Sequence, residues 1–343
     1  MNDENGNFIY KVRPSLQAGT KIGIVSPGSW DDSPNYGFLD ALNAFWEKKG
    51  FNVFIHPQNY YKDGVLAGSD TARAKAFMDM VKNPEIGAIM FARGCTGSIH
   101  ILDMLDYDAI KANPKPIIGS SDTTTLLHAI TKKSGVVTFY GPMGCHFADP
   151  GNDQRTCDDL ITAINAGHEE YEMTYPEVGC LREGKAEGWL VGGHMNRMQL
   201  LMGTPYDCLP QRSLVDGVVL FMETVDTTRL EIDNILSQFR LAGKLQTVRG
   251  LIVGEMLGVQ DGETSLARKG ERTYGRDVQG IIAKAMKEIS PRVPVVWNFP
   301  CGHGSYLSTM PIGSHVSLAT SKQDGTRLSF RPVPKSAPVM CYL

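Results

Sequence analysis

Between residues 22 and 140 the chain repeats one pattern, a short apolar run followed by a longer stretch with helical spacing, and this leaves few folds open. The short runs occupy 22–26, 51–56, 86–92, 116–118 and 136–140. The stretches between them include 36–49, 71–82, 98–105 and 123–132, and Ala74, Phe77, Met78 and Val81 lie on one side of the second. A strand–helix alternation of this kind predicts a parallel sheet covered by helices on both faces, because parallel neighbours need a crossover long enough to hold a helix. Ligands of such sheets gather at the carboxyl ends of the strands. Residues 93–98 and 119–122 fall at two such ends.

The second half is less regular. A helix is expected over 152–167, and the polar stretch 169–186, with Pro176 and Gly179, reads as a linker. The expected domains are therefore 1–168 and 187–343. In the latter, a strand is expected at 217–222, then a helix with Ile232, Ile235, Leu236 and Phe239 on one face, stopped by Gly243. Strands at 251–254 and 293–297, a helix over 276–289 and short strands near Val316 and Leu328 follow, with a polar surface loop over 260–273. These signals give no topology for this half.

The run Gly119-Ser120-Ser121-Asp122-Thr123 joins a buried strand to a helix carrying Leu126, Leu127 and Ile130. Two readings compete. A serine and an aspartate before a helix are common N-caps. A serine on a sharp strand-to-helix bend is also the geometry of a nucleophile elbow, with the helix's unpaired N–H groups placed to receive an oxyanion. Taken alone, capping is the commoner of the two, and the residues do not choose between Ser120 and Ser121 as a nucleophile.

Composition removes other classes. The 343 residues are 42% hydrophobic, enough for a sizeable core, and the net charge of −3 offers no basic excess for nucleic acid. Seven cysteines, an odd number with no C-x-x-C pair, argue for free thiols in a reducing compartment. No apolar run reaches the ~18–20 residues of a membrane span, and the first residues lack the pattern of a secretory leader, so a cytoplasmic protein is expected. The eight histidines form no metal-binding spacing, and no glycine-rich phosphate loop follows the first strand; neither metal nor cofactor is expected. Cys145-His146 and Cys301 invite a thiol-protease reading, but neither sits in an elbow.

The wider set of motifs is more specific. In order they are Arg93-Gly94-Cys95-Thr96-Gly97, Leu102 to Asp108, Asn113 to Pro116, the 119–123 turn, Thr138-Phe139-Tyr140-Gly141-Pro142-Met143, Gly192-Gly193-His194-Met195-Asn196 with Gly203-Thr204-Pro205, Leu220-Phe221-Met222-Glu223, and Phe299-Pro300-Cys301-Gly302-His303-Gly304 with Pro311-Ile312-Gly313. Over about 21–330 the chain resembles the LD-carboxypeptidase family of serine peptidases, which includes the microcin C7 self-immunity proteins. The resemblance implies a flavodoxin-like parallel-sheet N-terminal domain, a second, smaller α/β C-terminal domain and a homodimer. It also implies Ser121 as nucleophile, Glu223 as the carboxylate and His303 as the base, with the N–H groups of Gly94 and Asp122 as oxyanion donors. On their own, Glu223 reads as a carboxylate at a strand's carboxyl end and His303 as a loop histidine.

Arg93, Cys95 and Thr96 are expected to line the substrate site, and Trp189 could stack on a flat ring, although packing is the commoner role for a tryptophan at a strand start. The chain departs from the family's usual Arg-Gly-Gly-Tyr-Gly at Cys95 and Thr96, and from its usual Asn-Leu at His194-Met195. A Cβ at 95 restricts positive φ. Three functions are consistent with these residues. One is a carboxypeptidase cutting the L,D bond to terminal D-alanine in murein tetrapeptides during cell-wall recycling, favoured by Leu230 to Leu236 and Ala242-Gly243. Another is an immunity-type amidase acting on an aminoacyl or peptidyl nucleotide. The last is an inactive ligand-binding protein on the same scaffold, against which retention of Ser121, Glu223 and His303 argues.

Overall fold

The computed structural model describes residues 16, 18–30, 37–148, 154–166, 170–209, 217–260, 275–289 and 292–331. The first half runs β1 (Lys21–Val25), α1 (Gly37–Lys48), β2 (Asn52–Ile55), α2 (Asp70–Lys82), β3 (Ile86–Phe91), α3 (Tyr107–Ala112), β4 (Ile117–Gly119), α4 (Thr124–Ser134), β5 (Thr138–Tyr140), α5 (Gly144–Phe147) and α6 (Gln154–Asn165). The order β2-β1-β3-β4-β5 is parallel throughout, as the strand–helix alternation predicts, and it is the flavodoxin-like order that the family resemblance implies. The stretch expected as a helix over 98–105 is a 3-10 segment, Ser98–Met104.

The second half runs β6 (Tyr171–Tyr175), β7 (Gly179–Arg182), β8 (Gly184–His194), α7 (Met195–Leu201), β9 (Val218–Val225), α8 (Arg229–Leu241), β10 (Val248–Leu257), α9 (Val278–Ile289), β11 (Val295–Phe299), β12 (Met310–Ile312), β13 (His315–Ser321) and β14 (Gly325–Phe330). All but β12 join one eight-stranded sheet, ordered β6-β14-β13-β8-β9-β10-β11-β7. Its centre, β8 to β11, is parallel, and its flanks are antiparallel.

Two expectations change here. Over its described residues, 170–186, the stretch expected as a linker at 169–186 is not one: β6, β7 and the start of β8 are strands of the second sheet. Their exposed faces made them read as polar, because each is paired by its backbone on a sheet flank while its side chains alternate outward. The chain also crosses back, since β12 pairs antiparallel with β5 and completes the first sheet. The two halves are thus interlocked rather than strung together. The polar loop expected over 260–273 lies, except for Gln260, outside the described residues.

Helix α4 sits at the junction and is buried along nearly its whole length. Its His128 Nε2 lies 2.7 Å from the carbonyl oxygen of Gly192 on β8, and burial lowers the His128 pKa to about 4, so the ring is neutral. Gly192 and Gly193 have φ of 157° and 142°. A Cβ at 193 would stand 2.7 Å from Thr124 Cγ2, so glycine allows β8 to press against the start of α4. Thr124 Oγ1 then accepts the N–H of His194 at 3.2 Å. This contact brings the carboxyl ends of the two sheets together.

Candidate active site

Ser121 leaves β4 on a bend the sequence prepares. A Cβ on Gly119 would collide with Thr123 Oγ1 and Phe91, so only glycine lets the strand turn this tightly. Ser121 itself has φ of 54°, a left-handed conformation that is uncommon for a residue with a Cβ. The structure separates the two serines. Ser120 is 2% exposed, and its Oγ is buried without a hydrogen-bond partner, whereas Ser121 is half-buried at the bend. Thr123 Oγ1 donates to Ser120 O at 2.8 Å and Thr124 Oγ1 to Ser121 O at 2.6 Å, which fastens the turn to the helix start.

A continuous hydrogen-bonded path runs from this turn to His303. The Ser121 N–H donates to Tyr140 Oη at 3.1 Å, Tyr140 donates to Glu223 Oε1 at 2.5 Å, and Glu223 Oε2 lies 2.9 Å from His303 Nδ1. Tyr140 comes from β5 of the first sheet, Glu223 from β9 of the second, and His303 from the loop after β11. Glu223 is inside its strand rather than at its end, and it is fully buried. Burial by itself would push its carboxyl up and the His303 imidazole down. The contact between them overrides both, with help from Tyr140: the carboxyl is held below its ordinary range and the imidazole above 6.5.

The His303 loop is shaped around the carboxylate. Gly302 has φ of 144°, and a Cβ there would approach Glu223 Oε2 to 3.0 Å. Glu255 of β10 accepts the Gly304 N–H at 2.8 Å, and its own N–H donates to Cys301 O at 3.2 Å. Burial raises the Glu255 carboxyl pKa, and the neighbouring Glu223 charge adds to this. Cys301 is buried, and burial beside Glu223 and Glu255 pushes its thiol far up, which makes it a poor nucleophile. His146 Nδ1 accepts the Met143 N–H at 3.0 Å and so serves the start of α5.

On the other side of Ser121 lies the loop after β3. A Cβ built on Gly94 would stand 3.0 Å from Ser121 Cβ, 3.3 Å from its Oγ and 3.4 Å from Asp122 N. The Cα face of Gly94 therefore stands against both the hydroxyl and the Asp122 N–H. Cys95 adopts φ of 80° despite its Cβ, and its side chain is exposed. Thr96 pairs with Ser29, its N–H donating to Ser29 Oγ at 3.3 Å. Arg93 Nη1 donates to Trp30 O at 3.4 Å. Arg93, Cys95 and Thr96 thus share the edge that carries Ser121.

Trp189 does not join them. It is 4% exposed and packs edge-on against His315 with centroids 5.5 Å apart. In the β8–β9 register Trp189 pairs with Val218 while His194 pairs with Glu223, which sets Trp189 five residues back along the strand. Of the two roles the sequence leaves open for Trp189, stacking on a substrate ring or packing, its burial fits packing, and it is not placed as a substrate contact.

Three residues with no role expected from sequence enter the site. Tyr140 links the turn to the carboxylate. His194 lies edge-on to His303 at 5.8 Å; it is buried with Nδ1 unpartnered, and burial lowers its pKa. Arg197 on α7 donates from Nη2 to Cys95 O at 2.8 Å, and its Nε lies 3.4 Å from the Asp122 carboxylate as an ion pair without hydrogen-bond alignment. Tyr140 lies in the run Thr138 to Met143, but nothing in a sequence marks a tyrosine as spanning two sheets. Among the described residues, no group of three or more His, Cys, Asp or Glu side chains is placed to hold a metal ion, and no helix is long and apolar enough to cross a membrane.

Comparison with known proteins agrees with this architecture. The LD-carboxypeptidase N-terminal domain matches residues 22–141 and the LD-carboxypeptidase C-terminal domain residues 187–318. The probable murein peptide carboxypeptidase of Bacillus subtilis is 30% identical over 93% of this chain and 95% of its own length. The microcin C7 self-immunity protein MccF of Escherichia coli is 28% identical over 88% of this chain and 91% of its own. Among solved structures, MccF in complex with glutamyl sulfamoyl guanosine superposes with a TM-score of 0.81 at 24% identity, over 96% of this chain and 99% of that one. The muramoyltetrapeptide carboxypeptidase of Oxalobacter formigenes gives 0.75 at 22% identity, over 92% of this chain and all of the other. With both domains matched and a relative at 30% identity spanning nearly the whole chain, this protein belongs to the LD-carboxypeptidase family and is a serine-peptidase-type hydrolase.

Proposed function

We propose that the protein is a serine carboxypeptidase that removes the terminal D-alanine of a murein tetrapeptide by cleaving its L,D peptide bond, as a step of cell-wall recycling. The observation that carries the catalytic part is the path from the Ser121 backbone N–H through Tyr140 and Glu223 to His303, which ties the turn bearing an elbow serine to a buried carboxylate–imidazole pair. In this reading Ser121 Oγ attacks the carbonyl carbon of the scissile bond. The other ring nitrogen of His303, Nε2, takes the hydroxyl proton and returns it to the departing amine of D-alanine. Glu223 fixes the tautomer through Nδ1 and stabilises the imidazolium that forms. The N–H groups of Gly94 and Asp122 receive the oxyanion, and a water molecule then releases the acyl group by the same route. Arg93, Cys95 and Thr96 line the entrance.

An immunity-type amidase is the second reading, since MccF is nearly as similar as the murein enzyme. What favours the carboxypeptidase is the burial of Trp189, which removes the residue that would have offered a stacking surface to a nucleotide ring. Cytoplasmic location and a homodimer belong to the same proposal; the free, scattered cysteines support the first and the family resemblance the second. The test is direct. The protein is incubated with a murein tetrapeptide and, separately, with an aminoacyl sulfamoyl adenylate, and products are followed by mass spectrometry. Release of D-alanine at the higher kcat/KM supports the proposal. Cleavage of the sulfamoyl adenylate alone would replace it with the amidase.

A further inference from the structure

Arg197 occupies a place that the proposed mechanism does not explain. It belongs to α7 of the second half, yet both groups it reaches lie in the first half: the Cys95 carbonyl and the Asp122 carboxylate. Those two residues flank the oxyanion pocket. Cys95 follows Gly94, and Asp122 carries the N–H after Ser121. The Asp122 side chain is buried, and its second oxygen accepts the Ser98 N–H at 2.8 Å; Ser98 Oγ in turn donates to Asp122 O at 2.6 Å. A Cβ on Gly28 would approach Asp122 Oδ2 to 3.0 Å, so the carboxylate is walled in on that side too.

The need for such a clamp follows from Cys95. At φ of 80° its Cβ makes the observed loop conformation unfavourable, and an unsupported loop would relax away from it. Rotation of the peptides on either side of Cys95 would also displace Gly94, whose Cα face stands directly against Ser121. A guanidinium suits the restraint: it keeps its charge and spreads it over a plane, so one nitrogen donates to the Cys95 carbonyl while another pairs in charge with the Asp122 carboxylate, which the compact ammonium of a lysine does not reproduce.

We infer that Arg197 is a positioning residue that locks the loop 93–97 onto the helical turn at Asp122 and so presets the oxyanion donors across the junction of the two halves. It acts through Gly94 and Asp122 and does not itself touch the reacting atoms. This rests on the reading of Ser121 as the nucleophile.

The experiment compares wild type, Arg197→Gln and Arg197→Lys in four measurements: kcat and KM for a murein tetrapeptide, the rate of Ser121 phosphonylation by a reactive fluorophosphonate, the labelled residue by peptide mass spectrometry, and thermal unfolding. Misplacement of catalytic groups by about 1 Å can cost on the order of 100-fold. Arg197→Gln is therefore expected to lower kcat and the phosphonylation rate together by about 10- to 100-fold, with KM within about threefold, and Arg197→Lys to recover only part. Both reactions place negative charge on an oxygen in the same pocket, so they should fall in parallel. A raised KM with unchanged kcat would overturn the inference and make Arg197 a ligand for the substrate carboxylate. Lower thermal stability with unchanged kcat and labelling rate would also overturn it, leaving a merely structural ion pair. Labelling of wild type at a residue other than Ser121 would instead overturn the mechanism, and the inference with it.

Discussion

Replacing Tyr140 by phenylalanine removes a single oxygen, and the structure predicts two separable losses. The hydroxyl donates to a fully buried carboxylate at 2.5 Å and accepts the Ser121 N–H at 3.1 Å. A hydrogen bond to a charged group contributes roughly 1.5–3 kcal/mol. Glu223 keeps His303 but loses its second partner, so the upper part of that range applies. Ser121 is half-buried, so water can replace part of what its N–H loses, and the lower end of the ~1–3 kcal/mol cost of an unsatisfied donor is appropriate. Together these predict a loss of folding stability of about 3.5–4 kcal/mol. Catalysis should fall as well, because Glu223 becomes less able to stabilise an imidazolium and the Ser121 turn loses its anchor. A decrease in kcat of about 10- to 100-fold corresponds to ~1.4–2.8 kcal/mol. Urea unfolding and tetrapeptide kinetics measure the two losses separately. Tyr140→Phe and Glu223→Gln should also be non-additive by at least ~1 kcal/mol, since they share one contact. Stability within ~0.5 kcal/mol of wild type, with kcat lowered less than about threefold, would show that Tyr140 does not couple the turn to the carboxylate.

Other perturbations follow from the same geometry. Ser121→Ala should lower kcat by roughly 10⁴- to 10⁶-fold with little change in stability, whereas Ser120→Ala should stay near wild type; the reverse order in a tetrapeptide assay would reassign the nucleophile. Gly94→Ala places a methyl 3.0 Å from Ser121 Cβ and 3.3 Å from its Oγ, and should cost about 10²-fold or more in kcat while leaving the far-ultraviolet circular dichroism spectrum unchanged. Because Glu223 raises the His303 pKa, the acid limb of kcat/KM should lie above 6.5, activity falling as pH drops through it and the imidazole protonates. Glu223→Gln should move that limb to lower pH and reduce the plateau; a pH profile that does not move would exclude His303 as the titrating base. The ordinary values are 4.5 for Glu223 and 6.5 for His303, the first lowered and the second raised in the fold. The carboxyl contribution to stability is present above 4.5 and fades as pH falls through its folded value. The imidazole contribution is complete below 6.5 and fades as pH rises through its folded value. The pair should therefore stabilise most between 4.5 and 6.5, and a pH series of urea midpoints comparing wild type with Glu223→Gln checks this sign.

The first sheet was legible in the sequence because its information is local. Each βα unit from β1 to β5 declares itself by apolar spacing, and the sharp turn at 119–123 follows from glycine, serine and a helix start within five residues. The family resemblance carried by the ordered motifs likewise implied roles for Ser121, Glu223 and His303 without any coordinates. What the sequence could not supply depends on contacts between distant segments. The flanking strands β6 and β7 looked like a linker because antiparallel edge strands satisfy their backbones by pairing, which leaves no local signature. The return of β12 to β5 joins residues about 170 positions apart. The same holds within the site. Glu223 read as the end of a strand, but the neighbouring strands extend the pairing past it and bury it, so that it needs Tyr140 and His303 as partners. Trp189 could stack on a ligand or pack in a core, and only the β8–β9 register placed it five residues away from Glu223. Arg197 is one cation among 34 in the chain, and its reach across the junction to Cys95 and Asp122 exists only once both sheets are docked on α4. Periodicity and turn chemistry act through neighbours in the chain and can be read along it; register, burial and the pairing of charges act through neighbours in space, and the tertiary structure alone decides them.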